Sequence, residues 1–400
     1  MTNLEKKGLL PARRFPEFQH TAEWQVKTFK ELFTIGNGKD YKHLASGEIP
    51  VYGSGGYMRS VNDYLYDGES VCIGRKGTID NPIFLTGKFW TVDTLFYTHS
   101  FKDCLPKFIY AIFQQINWVN HNEAGGVPSL SKTNLQKIKV AVPKLDEQRK
   151  IADCLISIDE LITTQTQKLD TLKTHKKSLM QKLFPTESET VPKLRFSLFR
   201  DTKEWEPTTV GKIADLKSGG TPSKGNPEFW NGSIPWASAK DMKQLFLDDT
   251  IDHITRTAVG AGAKPAPAGT VLILTRGMTL LKDVPICILN REMSYNQDVK
   301  AFKPKKDFNG RFLAYLLLSC KQRLLNLVDI AGHGTGRLDT EKLKAFGVML
   351  PQPAEQQLIA ECLSSLEDLL TAQSQKINAL KAHKKGLMQQ LFPNMDEVDA

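Results

Sequence analysis

Apolar residues recur at alternating spacings of four and three along two stretches of the chain. In the first they are Ile151, Leu155, Ile158, Ile162, Gln165, Leu169, Leu172, Lys176, Leu179 and Leu183, with Gln165 and Lys176 the polar exceptions. In the second they are Ile359, Leu363, Leu366, Leu370, Gln373, Ile377, Leu380, Lys384, Leu387 and Leu391, with the exceptions at the same places. A repeat of about 3.5 residues is the seam of a left-handed coiled coil. Each run follows a proline, Pro143 or Pro351, and ends at Phe-Pro, Pro185 or Pro393, because proline cannot continue a helix. The pattern predicts two helices of about 38 residues, each roughly 55 Å long.

The two stretches are copies of each other. Residues 143–185 align without a gap to 351–393, with about 24 of 43 positions identical. A fainter match precedes them, LSKTNLQKIKVAVP against LDTEKLKAFGVMLP, and a third opens each half, RFPEFQHTAEW against RFSLFRDTKEW. Between these shared ends the interiors, about 27–125 and 208–333, do not match. Two similar frames therefore hold two different inserts, and even drift after duplication would not leave the frame so much better matched than its contents. The contents are expected to recognise different things.

The helix length predicts a topology. A first helix of roughly 55 Å carries the chain away from block one before block two begins, and an antiparallel second helix returns the C-terminus. The expected fold is α+β and pseudo-twofold, with two mixed α/β blocks at opposite ends of a rod. Gln165 and Gln373 would then meet near mid-seam, where a buried polar pair fixes register at some cost in stability. Pairing of these helices with another chain is the alternative. His175 and His383 occupy equal places in KTHKK and KAHKK and read as part of a basic helix end rather than as ligands. Cys154 and Cys362, also equivalent, read as small core residues beside the seam, and Trp24 and Trp205 as core of the frame.

Inside the blocks, runs such as IPVYGSGGYM, KFWTVDTLFYTHS, GTVLILTRGM and MSYNQDVKAF, bounded by Gly and Pro, predict short and mostly antiparallel strands. KFIYAIFQQINWV and GRFLAYLLLSCKQRLLNLV predict helices. The loops carry the candidate readers of an anionic partner. In block one they are Lys39, Lys42, Tyr52, Ser54, Arg59, Arg75, Lys76, His121 and Asn122; in block two Thr221, Ser223, Lys224, Trp230, Arg276, Asn296, Gln297, His333 and Arg337. Arginine can bridge guanine O6 and N7, Asn or Gln can bridge adenine N6 and N7, and Lys serves phosphates. For any single one of them, solvated surface is the competing reading.

Charge supports that direction. The net charge of +9 divides as 17−13 = +4 over residues 1–142, 8−6 = +2 over 143–185, 24−18 = +6 over 186–350 and 4−7 = −3 over 351–400, so the excess sits in the two blocks. Composition, 40% hydrophobic and 24% charged, is that of a globular chain with two or three cores. No apolar run approaches the roughly 18 residues of a membrane span, and MTNLEKKGLLPARRF lacks the apolar region of a secretory signal. The six cysteines form no CxxC pair, which argues against zinc and disulfides and fits a reducing cytoplasm. No GxxxxGK[ST] phosphate loop occurs. Asn81-Pro82-Ile83-Phe84 lacks the second proline of an amino-methyltransferase motif, and Gly53–Gly56 reads as a turn or a close approach to DNA. The chain is read as non-catalytic, with no metal site.

KSGGTPS and FWNGSIPW opening block two, IPVYGSGG and FWTVDTLFY in block one, and the twice-used P…EQxxIAxxL…LMQxLFP together resemble the specificity subunits of type I restriction-modification systems. The resemblance covers nearly the whole chain and extends to motif order and duplication. It implies that residues 1–142 and 186–350 are target-recognition domains, similar in fold to the DNA-reading domain of adenine methyltransferases. Residues 143–185 would be the central spacer helix and 351–400 the C-terminal spacer helix and tail. It also implies a bipartite, asymmetric target on double-stranded DNA, docking of methyltransferase subunits, two per chain, and of restriction/translocase subunits. The cofactors would belong to those partners: AdoMet for adenine N6 methylation, ATP and Mg for cleavage. A stand-alone DNA-binding regulator and a coiled-coil scaffold that touches no DNA remain alternatives at this point.

Overall fold

The computed structural model describes residues 9–394 apart from Ser188, Lys306, Asp307, Ala331 and His333. Block one runs through β1 (Gln25–Thr28), α1 (Phe29–Leu32), β2 (Thr34–Asn37), β3 (Ser46–Gly53), β4 (Gly56–Val61), β5 (Tyr66–Asp67) and β6 (Ser70–Gly74). It continues with β7 (Ile83–Leu85), β8 (Lys88–Thr91), β9 (Leu95–His99), α2 (Pro106–Phe113), α3 (Lys132–Lys137) and β10 (Lys139–Val142), and passes into the long helix α4 (Leu145–Leu183). Block two opens with β11 (Glu206–Thr209), α5 (Val210–Ile213), β12 (Ala214–Ser218), β13 (Trp230–Ala237), β14 (Phe246–Leu247), β15 (His253–Ile254) and α6 (Arg256–Gly260). Next come β16 (Pro265–Ala266), β17 (Val271–Leu274), β18 (Arg276–Gly277), β19 (Ile286–Leu289), β20 (Met293–Tyr295) and β21 (Val299–Pro304). The chain closes with α7 (Gly310–Ser319), α8 (Lys321–Leu325), β22 (Val328–Ile330), β23 (Gly336–Leu338), α9 (Thr340–Ala345), β24 (Gly347–Leu350) and the second long helix α10 (Pro353–Leu391).

The chain divides into two compact units, Met1–Gln167 with Ser374–Ala400, and Lys168–Gln373. Each long helix thus gives one half to each unit. All twenty positions of the seam, from Ile151 to Leu183 and from Ile359 to Leu391, are buried or half-buried. Gln373 is buried and Gln165 half-buried. Off the seam, the equivalent Leu161 and Leu369 are 41% and 54% exposed.

In the first unit, β1 zips antiparallel onto β10, from Gln25↔Val142 to Thr28↔Lys139, and closes block one on itself. A capping box, Thr28 with Glu31, starts α1 at the end of that strand. Two four-stranded sheets follow, ordered β2-β9-β6-β7 and β4-β3-β8-β5. Helix α2 buries Phe108, Ile109, Ile112 and Phe113 in a core that also takes in Ile151 and Leu155 from α4 and Met388, Leu391 and Phe392 from the α10 end. Trp24 sits edge-on to Phe392 at 6.0 Å. Asp159 binds Lys384 at 2.7 Å, so within this unit the start of α4 runs antiparallel to the end of α10. Arg14 reaches the buried Glu147 through two hydrogen bonds of 2.8 and 2.5 Å, tying the opening segment to the helix start.

The second unit repeats this arrangement. β11 pairs antiparallel with β24, and the sheets are β12-β21-β17-β19-β14 and β15-β13-β20-β16. Leu183 and Phe184 from the α4 end share a core with Ile359, Ala360 and Leu363 from α10, and Lys176 pairs with Glu367, so the helices are antiparallel here too. Arg195 holds Glu355 through two hydrogen bonds, from Nε and from Nη2, each of 2.8 Å, and Trp205 packs against Phe184 at 6.0 Å. The carboxylate raises the Arg195 guanidinium further above its ordinary range.

Although the block interiors differ in sequence, their two main sheets share a strand plan, to which block two adds β14 at one edge and a third sheet, β18-β23-β22. β9 lies between β2 and β6 as β21 lies between β12 and β17, and β3 runs parallel to β8 as β13 does to β20. A strand plan needs alternation and burial, which many residue sets supply, so identity can be lost while topology is kept. Among the described residues no helix is long and apolar enough to cross a membrane.

Candidate nucleic-acid interface

In block one the candidate residues fall into two groups. The first is built around the β3–β4 hairpin, whose turn places Gly56 at φ 107, a conformation open to glycine and strained for other residues. Tyr52 and Ser54 lie on it, and Tyr57 at its tip is 63% exposed. Gly77, which follows Arg75 and Lys76, packs so close that a Cβ there would lie 3.3 Å from the Ser54 hydroxyl. Lys76 bridges to Ser129, and Gly77 donates its N–H to the Pro128 carbonyl at 2.9 Å. Asn122 holds that last loop: its Oδ1 accepts from the N–H groups of Ala124 and Ser129, and its Nδ2 donates to the Ala124 carbonyl. Ser54, Arg75, Lys76 and the 122–130 loop are thus brought together, with the Asn122 amide committed to shaping the loop. His121 lies 6.1 Å from the Trp118 ring.

The second group surrounds the loop after β2. Lys39 donates its backbone N–H to Thr91 and accepts the Trp90 indole N–H at 2.8 Å, so its backbone is pinned while the neighbouring Lys42 is exposed. Arg59 on β4 donates to the Ser46 hydroxyl at 3.1 Å and stands 5.9 Å over the Tyr41 ring. On β9, burial and then the charge of Lys132 hold His99 below its ordinary pKa.

Block two gathers its candidates in two places as well. Thr221 hydrogen-bonds Gln297, and the Asn296 Oδ1 accepts the Asp298 N–H at 3.1 Å. Trp230 donates to the Ser223 carbonyl at 3.1 Å and stands edge-on to Trp236 at 5.3 Å; Trp236 in turn donates to the Gly220 carbonyl at 3.0 Å. Thr221, Ser223, Trp230, Asn296 and Gln297 therefore form one cluster, with Lys224 exposed beside it. Nearby, burial lowers the pKa of Lys300, which donates to Ser218. Arg276 and Arg337 are elsewhere, opposed across the β18–β23 pair. His333 lies outside the described residues.

The arginine pair sets two cations side by side. Like charges directly opposed in an antiparallel pair repel, and an anion between them relieves the repulsion. Arg337 pairs with Asp339 at 3.5 Å, while Arg276 has no ion-pair partner among the described residues. The matching place in block one is the Lys76–Ser129 bridge. Sequence reasoning missed exposed apolar side chains in both blocks: Tyr57 and Met58 at the hairpin tip, and Met278 and Ile330, 63% and 73% exposed, on or next to the strands of the arginine pair. Their one signal is an apolar residue close to a turn glycine. Among the described residues no group of three or more His, Cys, Asp and Glu could hold a metal ion.

The profile of the family described as "Type I restriction modification DNA specificity domain" matches twice, over residues 21–174 and 202–382. The chain belongs to this family. It is 35% identical over 168 residues to the type I restriction enzyme EcoR124I/EcoR124II specificity subunit of Escherichia coli, an alignment spanning 42% of this chain and 41% of that relative. It is 25% identical over 352 residues to the type I restriction enzyme MjaVIII specificity subunit of Methanocaldococcus jannaschii, covering 82% of this chain and 77% of that one. The solved S subunit of a type I restriction-modification system from M. genitalium shares the fold, with a TM-score of 0.66 at 16% identity over 96% of this chain and 100% of that one.

Proposed function

We propose that this chain is the non-catalytic specificity subunit of a type I restriction-modification enzyme, reading a bipartite, asymmetric target on double-stranded DNA. The observation that carries the reading is the repetition of one frame and one plan of two sheets around two different sets of exposed and half-buried polar and basic residues. Residues 1–142 and 186–350 act as target-recognition domains, and the helices of 143–185 and 351–393 as spacers. Arg75 and Lys76 in block one, and Arg276 and Arg337 in block two, contact the duplex; the Thr221–Gln297 cluster and Tyr52–Arg59 read or position bases. Asn122 acts through the loop that it shapes.

The exposed, equivalent Leu161 and Leu369 support docking of two methyltransferase subunits, one on each half, with restriction subunits beyond them. AdoMet belongs to the former and ATP with Mg to the latter, and the assembly works in the cytoplasm. In this reading the spacers act as a ruler between half-sites. Inserting four residues into each long helix adds about one turn, or 6 Å, and should lengthen the recognised gap by roughly one or two base pairs. Genome-wide mapping of N6-methyladenine measures the gap directly; an unchanged gap rejects the ruler, and methylation indifferent to this chain rejects the function.

A further inference from the structure

A basic groove in the second unit has no part in the reading above. The end of α4, helices α7 and α8, Leu370 of α10 and the turn at Lys282 line an open groove of about 850 Å³, within the range of roughly 300–1,000 Å³ typical of ligand clefts. Its floor is apolar: Phe184 is buried, and Met180, Leu318 and Leu325 are half-buried. Its rim is cationic, with Lys173, Lys177, Lys193 and Lys282 joining Lys176 and Lys321. The one acid of the lining, Asp283, is spent on Lys321 at 2.7 Å, and Lys176 is spent on Glu367. Among the described residues Lys177 and Lys282 have no ion-pair partner, and both are exposed.

Lys173 is paired with Asp170 at 3.3 Å, but Lys177 and Lys282, brought to one groove without counter-ions, repel one another, so an anionic occupant is favoured. The floor says which kind. A nucleic-acid backbone would satisfy the rim and leave Met180, Leu318 and Leu325 facing phosphate and water. A helix with carboxylates on its flanks and apolar residues at i, i+3, i+4 and i+7 satisfies rim and floor together. We propose that this groove docks an acidic amphipathic helix of a protein partner, its carboxylates against Lys177 and Lys282 and its apolar face on Met180, Phe184, Leu318 and Leu325. The proposal rests on the functional reading only in placing the chain within an assembly.

The test uses the full chain and a synthetic peptide carrying Leu at the stated spacing and Glu on the flanks, with a scrambled peptide of equal composition and duplex DNA as comparators. Fluorescence anisotropy should show the amphipathic peptide binding about tenfold more tightly than the scrambled one, and Lys177→Glu with Lys282→Glu should remove at least that advantage. Both substitutions are at exposed positions, and a thermal melt checks that the variant is folded; Lys177→Gln with Lys282→Gln serves in its place if it is not. Equal binding of the two peptides, or binding unaffected by the substitutions, overturns the proposal. So does a variant that loses DNA binding in place of peptide binding, because the groove would then be a nucleic-acid seat. Neither methylation nor a half-site enters this readout, so its failure is distinct from failure of the functional reading.

Discussion

The two blocks solve one packing problem with different residues. At the parallel strand pair of each, block one sets Val51 against Trp90, whereas block two sets Trp236 against Ser294, so the tryptophan has changed strands. Both indoles nevertheless donate to a carbonyl in the loop that follows β2 or β12, that of Lys39 at 2.8 Å or Gly220 at 3.0 Å. Only the sum matters: one large ring, one smaller partner and one satisfied N–H. A strand plan with this tolerance allows the exposed face to change. The faces have changed, from a hairpin tip with Tyr57 and Arg59 to a cluster of Thr221, Trp230 and Gln297.

The sharpest way to break that comparison is to exchange contents between frames. Replacing residues 27–125 by the corresponding block of another family member should change one half-site of the methylated sequence completely and leave the other as it was. Changes in both halves would show that the readers are not independent.

Next in size is the pair that fastens each opening segment to its long helix. Arg195–Glu355 and Arg14–Glu147 are both buried, and removing one partner leaves an uncompensated charge, a loss of about 3–5 kcal/mol. Glu355→Ala should therefore destabilise the second unit by that amount and Glu147→Ala the first, as measured by thermal melts combined with limited proteolysis to locate the opening. A loss below about 1 kcal/mol for either would mean that the frame does not depend on these pairs.

The smallest effect sharpens the contrast between Arg276–Arg337 and Lys76–Ser129. Arg276→Ala with Arg337→Ala should weaken DNA binding by about 1–3 kcal/mol for each arginine that reads a base. Where an arginine instead neutralises a phosphate, its removal should lower the slope of log K against log salt by about 0.9. The same titration on Lys76→Ala should show at most one such step. Affinities and slopes equal to those of the parent chain for both variants would remove these residues from the interface.

Much of this architecture was legible in advance. The heptads marked both helices, because a seam repeated over five heptads has few other solutions, and the flanking Pro143, Pro185, Pro351 and Pro393 placed their ends within two residues of Leu145–Leu183 and Pro353–Leu391. The duplicated ends marked the frame, since Trp24 and Trp205 each lead directly into a strand that pairs with the end of its own block. The shared strand plan of the interiors was not legible. Val51 and Trp236 give no common pattern to align, and their equivalence appears only when each is seen beside its parallel partner. Nor did loop composition separate Asn122, whose amide is consumed locally, from Arg276, whose charge is not.

Periodicity and duplication along the chain by themselves determined two long helices, two frames and unlike contents, because these depend on local spacing and on copies that can be counted. Tertiary structure alone decided that each helix is shared between two units, that Arg276 faces Arg337, and that lysines gather over an apolar floor. Those facts depend on which residues, distant in sequence, are brought within a few ångströms, and no local pattern encodes that.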